Sequence, residues 1–192
     1  SLLETRFEEI NQLFLIVRKN NINSAKNLIQ KMLRSSIVPE FIQNNQDAIH
    51  AKLRIIDAKN ILLPYRFISK DEDYYFIHSA GYVNLSTDPN SKDEIFTENL
   101  LFTQKVFEAY TPYLKKFIYI STAFSAGKTQ GILNDNYIDI QQKNYRNFYE
   151  ASKHAAEKYL VDAGKNKRIA VQILRPSVFG GIIMDKPSYF IS

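Results

Sequence analysis

The chain has 192 residues, 45% hydrophobic and 13% aromatic, which suits one globular domain with a real core and excludes a disordered chain. With no Cys and three scattered His (His50, His78 and His154), it has neither a disulfide framework nor a thiolate zinc site, shows no metal-ligand spacing, and fits a cytoplasmic protein. The net charge of +5 is interleaved with acids, which argues against nucleic-acid binding, and no apolar run approaches the ~20 residues that span a bilayer.

In chain order, residues 2–10 read as the end of a helix with Leu2, Leu3, Phe7 and Ile10 on its buried side. Gln12 to Arg18 is a nearly continuous apolar run, as expected of a strand covered on both faces. A helix follows over Ser24 to Leu33, and another starts at Pro39 and runs through His50. Lys52 to Asp57 is a second strand, and the segment around Pro64 is irregular. YYFIHSAG predicts a third strand running into a small-residue turn at Ser79, Ala80 and Gly81. Asp93 to Tyr110 is a helix, and KKFIYIST is a fourth strand ending at Ser121 and Thr122. Phe124 to Lys143 is a polar loop over the strand ends. A helix over Asn144 to Asp162, a turn at Gly164 to Lys167 and a fifth strand over Arg168 to Leu174 complete the pattern. Strands alternating with helices at this spacing predict a parallel sheet with crossover helices in a single domain.

The 144–162 helix carries a chemically suggestive pair. Its apolar stripe is read as Phe148, Ala151, Ala155, Tyr159 and Val161. Tyr149 and Lys153, four residues apart, leave one face of it. A phenol titrates near ~10, and an adjacent ammonium favours the phenolate and pulls that value down. Such a pair can pass a proton to or from a carbonyl oxygen. With 12 Tyr in the chain, one such spacing is expected by chance. The Ser121–Thr122 hydroxyls sharpen the reading, because open α/β sheets place chemistry at the carboxyl ends of their strands.

LFLIVR, FIHSAGYVNL, ENLLFTQKVFEA, FIYISTAFSAG, NFYEASKHAAEKYL and ILRPSVFGG, in this order, resemble the extended short-chain dehydrogenase/reductase superfamily. Within it the chain is most similar to the NAD(P)-binding domain of fatty acyl-CoA reductases ("male sterility" proteins) and to thioester reductase domains of peptide and polyketide synthetases. The resemblance implies a Rossmann-like doubly wound parallel sheet. It implies an NADPH-dependent reductase of lipid metabolism or a related pathway, acting on an acyl thioester held by coenzyme A or a carrier protein. In this likeness Tyr149 is the general acid, Lys153 tunes it and holds the nicotinamide ribose, and Thr122 binds the substrate carbonyl. Asn99 supports the lysine through water. Arg18, with Lys19, suits the 2′-phosphate of NADP, and Asp57 sits on the adenine side. Ser79, Ala80 and Gly81 line the dinucleotide through backbone, and Pro176, Ser177 and Val178 meet the carboxamide.

Plainer readings stand beside these. Arg18 can be an exposed strand-end cation, Asn99 a helix-surface amide, Asp57 the start of a turn, and His78 a packed core residue. The family's first strand and GxxGxxG turn, which cradle the pyrophosphate, are missing. Their absence predicts a fragment of a longer protein with a gap between the strands at 12–18 and 74–78. Two other functions remain: an NAD-dependent nucleotide-sugar epimerase or dehydratase, and a non-catalytic binding module. Ala126-Gly127-Lys128-Thr129 resembles the end of a P-loop but lacks its first glycine. Chain length of the acyl group and oligomeric state are not encoded in any of these motifs.

Overall fold

The computed structural model describes residues 2–18, 22–35, 38–130 and 144–177, apart from the side chains of residues 2, 3, 22–25 and 28. Lys19, Val178 and positions 131–143 of the expected loop lie outside that set. The fold divides into two compact units at Leu63–Pro64.

In the first unit, α1 (Leu2–Arg6) leads through a 3₁₀ turn into β1 (Leu13–Val17). After α2 (Ile22–Leu33), α3 (Glu40–Asn44) and α4 (Gln46–Lys52), the chain enters β2 (Leu53–Asp57). β1 and β2 are parallel, with Leu13 opposite Leu53 and Val17 opposite Asp57. The helix expected from Pro39 to His50 is broken at Asn45. There the Asn45 side chain and backbone N–H both donate to the Phe41 carbonyl and end the first helix. Phe7 anchors the packing: Phe41 meets it edge-on at 5.7 Å, and Lys52 Nζ lies 4.2 Å from its ring centroid and donates to its carbonyl.

The second unit holds a parallel sheet of β3 (Tyr74–His78), β4 (Leu114–Ile120) and β5 (Ala170–Leu174), in that spatial order. Phe76 pairs with Phe117, and Ile120 with Leu174. The crossover from β3 to β4 is one continuous helical stretch, α5 (Lys92–Phe96), a π-helical turn (Thr97–Leu101) and α6 (Phe102–Tyr110). The crossover from β4 to β5 is α7 (Phe148–Lys167). Phe117 is the hub of the core, stacked on Phe76 at 5.3 Å and met edge-on by Phe107 at 5.2 Å.

Helix α7 departs from its expected form at both ends and on its buried face. It starts at Phe148, because Asn147 caps it by accepting from the Glu150 N–H at 2.9 Å. It runs through Gly164 to Lys167 rather than turning there, and closes on Arg168 in a left-handed conformation (φ 56°). Gly164 is needed for close approach: a Cβ there would lie 2.6 Å from Val171 Cγ2 on β5. Of the expected apolar stripe only Ala151 is buried. The buried face instead carries Ser152, Lys153, Ala156, Glu157, Leu160 and Ala163, its polar members hydrogen-bonded. No helix among the described residues is long and apolar enough to cross a membrane.

Candidate active site

The carboxyl ends of β3, β4 and β5 and the first turns of α7 bring most of the expected site residues into one unit. Lys153 is only 3% exposed. Its Nζ donates to the Ile120 carbonyl at 2.9 Å and lies 4.2 Å from the centroid of the Tyr119 ring. Burial lowers its pKa to about 8, and Glu157 opposes that shift. The turn after β3 passes close by, since a Cβ on Gly81 would stand 3.8 Å from Lys153 Nζ and 3.6 Å from Asn99 Oδ1. Ser79, Ala80 and Gly81 are exposed there.

Asn99 is buried, not a surface amide, and lies in the π-helical turn. Its Oδ1 accepts from the Tyr82 N–H at 2.8 Å. Its Nδ2 donates to the Tyr82 carbonyl and to Ser152 Oγ, both at 3.0 Å. The β3 turn is thus tied to α7 next to Lys153. The Asn99 carbonyl accepts the Thr103 hydroxyl at 2.6 Å. That leaves Thr103 only lone pairs for His78 Nε2 at 3.0 Å, so His78 carries its proton on Nε2. Burial pushes the His78 pKa down to about 3, with Lys153 adding to the shift, so the ring is neutral and structural.

Thr122, two residues beyond the end of β4, caps the following 3₁₀ turn in an extended conformation and is buried. Its Oγ1 accepts from the Phe124 N–H at 3.3 Å, and its own proton has no acceptor among the described residues. Ser121 has its hydroxyl committed to the Glu157 carboxylate. Gly127 closes the 3₁₀ turn after Thr122 with φ 62°, where a Cβ would meet the Asn144 carbonyl at 2.5 Å. The P-loop-like tetrad is therefore a turn packed against the entry to α7. Arg146 reinforces that entry, donating to the Gly127 carbonyl at 2.7 Å and pairing with Glu150.

Tyr149 is half-buried on the first turn of α7; its carbonyl accepts from the Ser152 hydroxyl at 2.8 Å, and its phenol makes no hydrogen bond among the described residues. The expectation that Lys153 lowers its pKa is not met here. Burial pushes the phenol up, and the Lys153 ammonium is engaged by Ile120 and Tyr119. Pro176 and Ser177 follow β5, the Pro176 carbonyl accepting from the Ala123 N–H at 2.8 Å.

In the first unit, Arg18 follows the end of β1 and is exposed. Asp57, at the same end of β2, caps a 3₁₀ turn by accepting from the Lys59 N–H at 2.9 Å. That bond, aided by the Lys59 side chain, lowers the Asp57 pKa, so the turn-starting reading of Asp57 describes its contacts.

Residues 1–189 match the NAD-binding family model described as "Male sterility protein". The chain belongs to that family. This makes it a pyridine-nucleotide-binding domain of the extended short-chain dehydrogenase type with a Rossmann-like α/β fold. No curated protein matches the chain. Among solved structures, the terminal R domain from the myxalamid PKS-NRPS biosynthetic pathway is 22% identical, with TM-score 0.67 over 92% of this chain and 45% of that one. UDP-glucuronic acid 4-epimerase from Bacillus cereus, in complex with UDP-glucuronic acid and NAD, is 21% identical, with TM-score 0.56 over 85% and 48%. Bordetella bronchiseptica WbmF in complex with NAD+ is 20% identical, with TM-score 0.53 over 90% and 44%. The male sterility-family chain spans about half the length of these structures, and at such identities the likeness is one of fold.

Sequence reasoning missed Glu157, Ser152, Tyr119 and Arg175. A signal for Glu157 was available: it sits four residues after Lys153 and eight after Tyr149, on the same helix face.

Proposed function

We propose that this chain is the dinucleotide-binding core of a cytoplasmic NADPH-dependent reductase whose substrate is an acyl thioester on coenzyme A or a carrier protein. The observation that carries the reading is the buried Lys153 ammonium, one helical turn from Tyr149 and beside the Gly81 turn. It donates only to the Ile120 carbonyl among the described residues. A buried ammonium with unspent N–H groups is costly, and vicinal ribose hydroxyls are acceptors of the right kind. The residues present therefore fit a nicotinamide dinucleotide. Lys153 would hold its ribose, the backbone of Ser79, Ala80 and Gly81 would line it, and Pro176, Ser177 and Val178 would meet the carboxamide. Arg18 would take the 2′-phosphate of NADP, and Asp57 would face the adenine side.

When bound, the dinucleotide supplies the hydride. The chain's own residues manage charge and protons. The unspent Thr122 proton is free to donate to the thioester oxygen, where negative charge develops. Tyr149, kept protonated by burial, is the second donor and the proton source. Asn99, through Tyr82 and Ser152, holds the turn and the helix that carry these groups. Loss of the thiol leaves an aldehyde, open to a second reduction to the alcohol. The resemblance of the motifs to thioester reductases and the likeness in fold to a PKS-NRPS terminal R domain support this substrate class.

The test is NADPH oxidation by the full-length protein with acyl-CoA substrates, followed by absorbance and by free-thiol release. The wild type should consume NADPH stoichiometrically. Tyr149→Phe and Lys153→Ala should lose about 100-fold or more with unchanged circular dichroism. Near-wild-type turnover in either variant refutes the assigned roles. A second reading, a nucleotide-sugar epimerase or dehydratase, draws on the likeness to NAD-bound UDP-glucuronic acid 4-epimerase. It predicts retained NAD with no net consumption.

A further inference from the structure

Glu157 follows Lys153 by one turn of α7 and Tyr149 by two, so the three side chains share a stripe. It is fully buried, a costly place for a carboxylate unless every lone pair is served. Its partners come from two different strand ends. The Ser121 hydroxyl, at the tip of β4, donates to Oε1. Arg175, directly after β5, donates Nε and Nη2 to Oε2 at 2.9 and 2.6 Å. Backbone bonds bind the same two tips: the Ser121 N–H donates to the Leu174 carbonyl at 2.7 Å, and the Ala123 N–H to that of Pro176 at 2.8 Å. Thr122 lies between these anchors, and Pro176 and Ser177 follow Arg175 immediately. The proposed chemistry makes no use of the carboxylate. Well-packed apolar side chains would stabilise the fold about as well as a buried ion pair, so its presence asks for another account.

We propose that Glu157 is a positioning residue: its carboxylate clamps the β4 tip bearing Thr122 and the β5 end bearing Pro176 and Ser177 to the helix bearing Tyr149 and Lys153. The clamp sets the separation across which Thr122 and Tyr149 would address one substrate oxygen, a consequence that rests on the reductase reading. The clamp itself does not depend on that reading. A misplacement of about 1 Å at such a site costs on the order of 100-fold in rate without loss of the groups themselves.

The experiment compares Ser121→Ala and Glu157→Gln with the wild type in the full-length protein by two measurements. The first is hydrogen exchange resolved to peptides over 120–124 and 174–177. Both variants should exchange about 10-fold faster there, with the rest of the second unit unchanged. The second is single-turnover NADPH oxidation with saturating acyl-CoA. Ser121→Ala should slow it about 10-fold and Glu157→Gln about 100-fold, with the NADPH Kd within about 3-fold of wild type. Unchanged exchange at both tips in folded Ser121→Ala overturns the clamp. So does a uniform rise in exchange across the unit, whereas a wild-type rate per folded molecule despite loosened tips overturns the positioning role of Glu157. Loosened tips in a protein whose wild type reduces no acyl thioester uphold the clamp and remove the reductase reading. If Glu157→Gln does not fold, Ser121→Ala decides alone.

Discussion

The Lys153 ammonium rests over the Tyr119 ring, 4.2 Å from its centroid, while its hydrogen bond goes to the carbonyl of the next residue, Ile120. Strand β4 thus offers the buried cation a π face and a carbonyl from consecutive residues. This explains how a lysine on a packed helix face keeps a charge with no carboxylate in direct contact among the described residues. The tyrosine hydroxyl contributes nothing visible. It is buried and meets no hydrogen-bond partner of good geometry among the described residues, the neighbouring Thr103 hydroxyl already donating to Asn99 and facing His78.

Tyr119→Phe should therefore be neutral or stabilising by up to about 1 kcal/mol, since it removes a desolvated hydroxyl and keeps the ring. Tyr119→Leu, which removes the π face as well, should destabilise. Thermal unfolding of the two variants checks this, and a clear loss of stability in Tyr119→Phe would mean that the hydroxyl makes a stabilising hydrogen bond.

Burial lowers Lys153 from its ordinary 10.5 to about 8. Between those values the unfolded chain binds more protons than the folded one, so the lysine makes stability rise with pH across that window. Below it, the charged buried lysine is a standing cost. Lys153→Met should be more stable than the wild type near neutral pH and should lack the rise. Urea unfolding at several pH values gives the two curves, and parallel curves would contradict the assignment.

His78, whose pKa is also depressed, gives a slope of the same sign in a lower pH window. It is neutral in the fold down to about 3 and titrates near 6.5 when unfolded. Its contribution is complete above 6.5 and is lost as pH falls toward 3, because the unfolded chain then takes up the proton. Replacing the ring by the non-titrating amide in His78→Gln should flatten the acid limb of the stability curve, whatever it does to stability at neutral pH. The difference between the two acid titrations, followed by circular dichroism, is the measurement.

Gly164→Ala sets two effects against each other. Inside a helix, Ala is favoured over Gly by about 1 kcal/mol. Here the new methyl would lie 2.6 Å from Val171 Cγ2 and 3.1 Å from the Ile169 carbonyl oxygen. Overpacking of this kind costs about 1–3 kcal/mol, so the variant should be less stable and melt a few degrees lower. Adding Val171→Ala should recover part of the loss. Stabilisation by Gly164→Ala alone would mean that the helix–strand contact yields easily.

Much of the site was legible because it depends on local order. Tyr149 and Lys153 lie four residues apart on one helix, Thr122 follows an apolar strand, and strands alternate with helices, all features of short-range order. What misled was periodicity on α7. Its hydrophobic stripe is nearly all half-exposed, and the helix buries polar residues that find partners elsewhere. Asn99 read equally well as a surface amide until its contacts with Tyr82 and Ser152 were seen. Gly164 read as a turn because its packing partner, Val171, belongs to another element.

From the residues alone come the parallel α/β class, the family and the candidate proton-transfer pair, since these follow from short-range spacing and from the order of the elements. Folding in three dimensions assigned the partners. Ser121 and Glu157 are 36 positions apart, and Asn99 and Ser152 are 53 apart. Burial and hydrogen bonding between such distant groups decide which polar side chains are satisfied and in which direction each acid or base is shifted, and no local pattern carries that information.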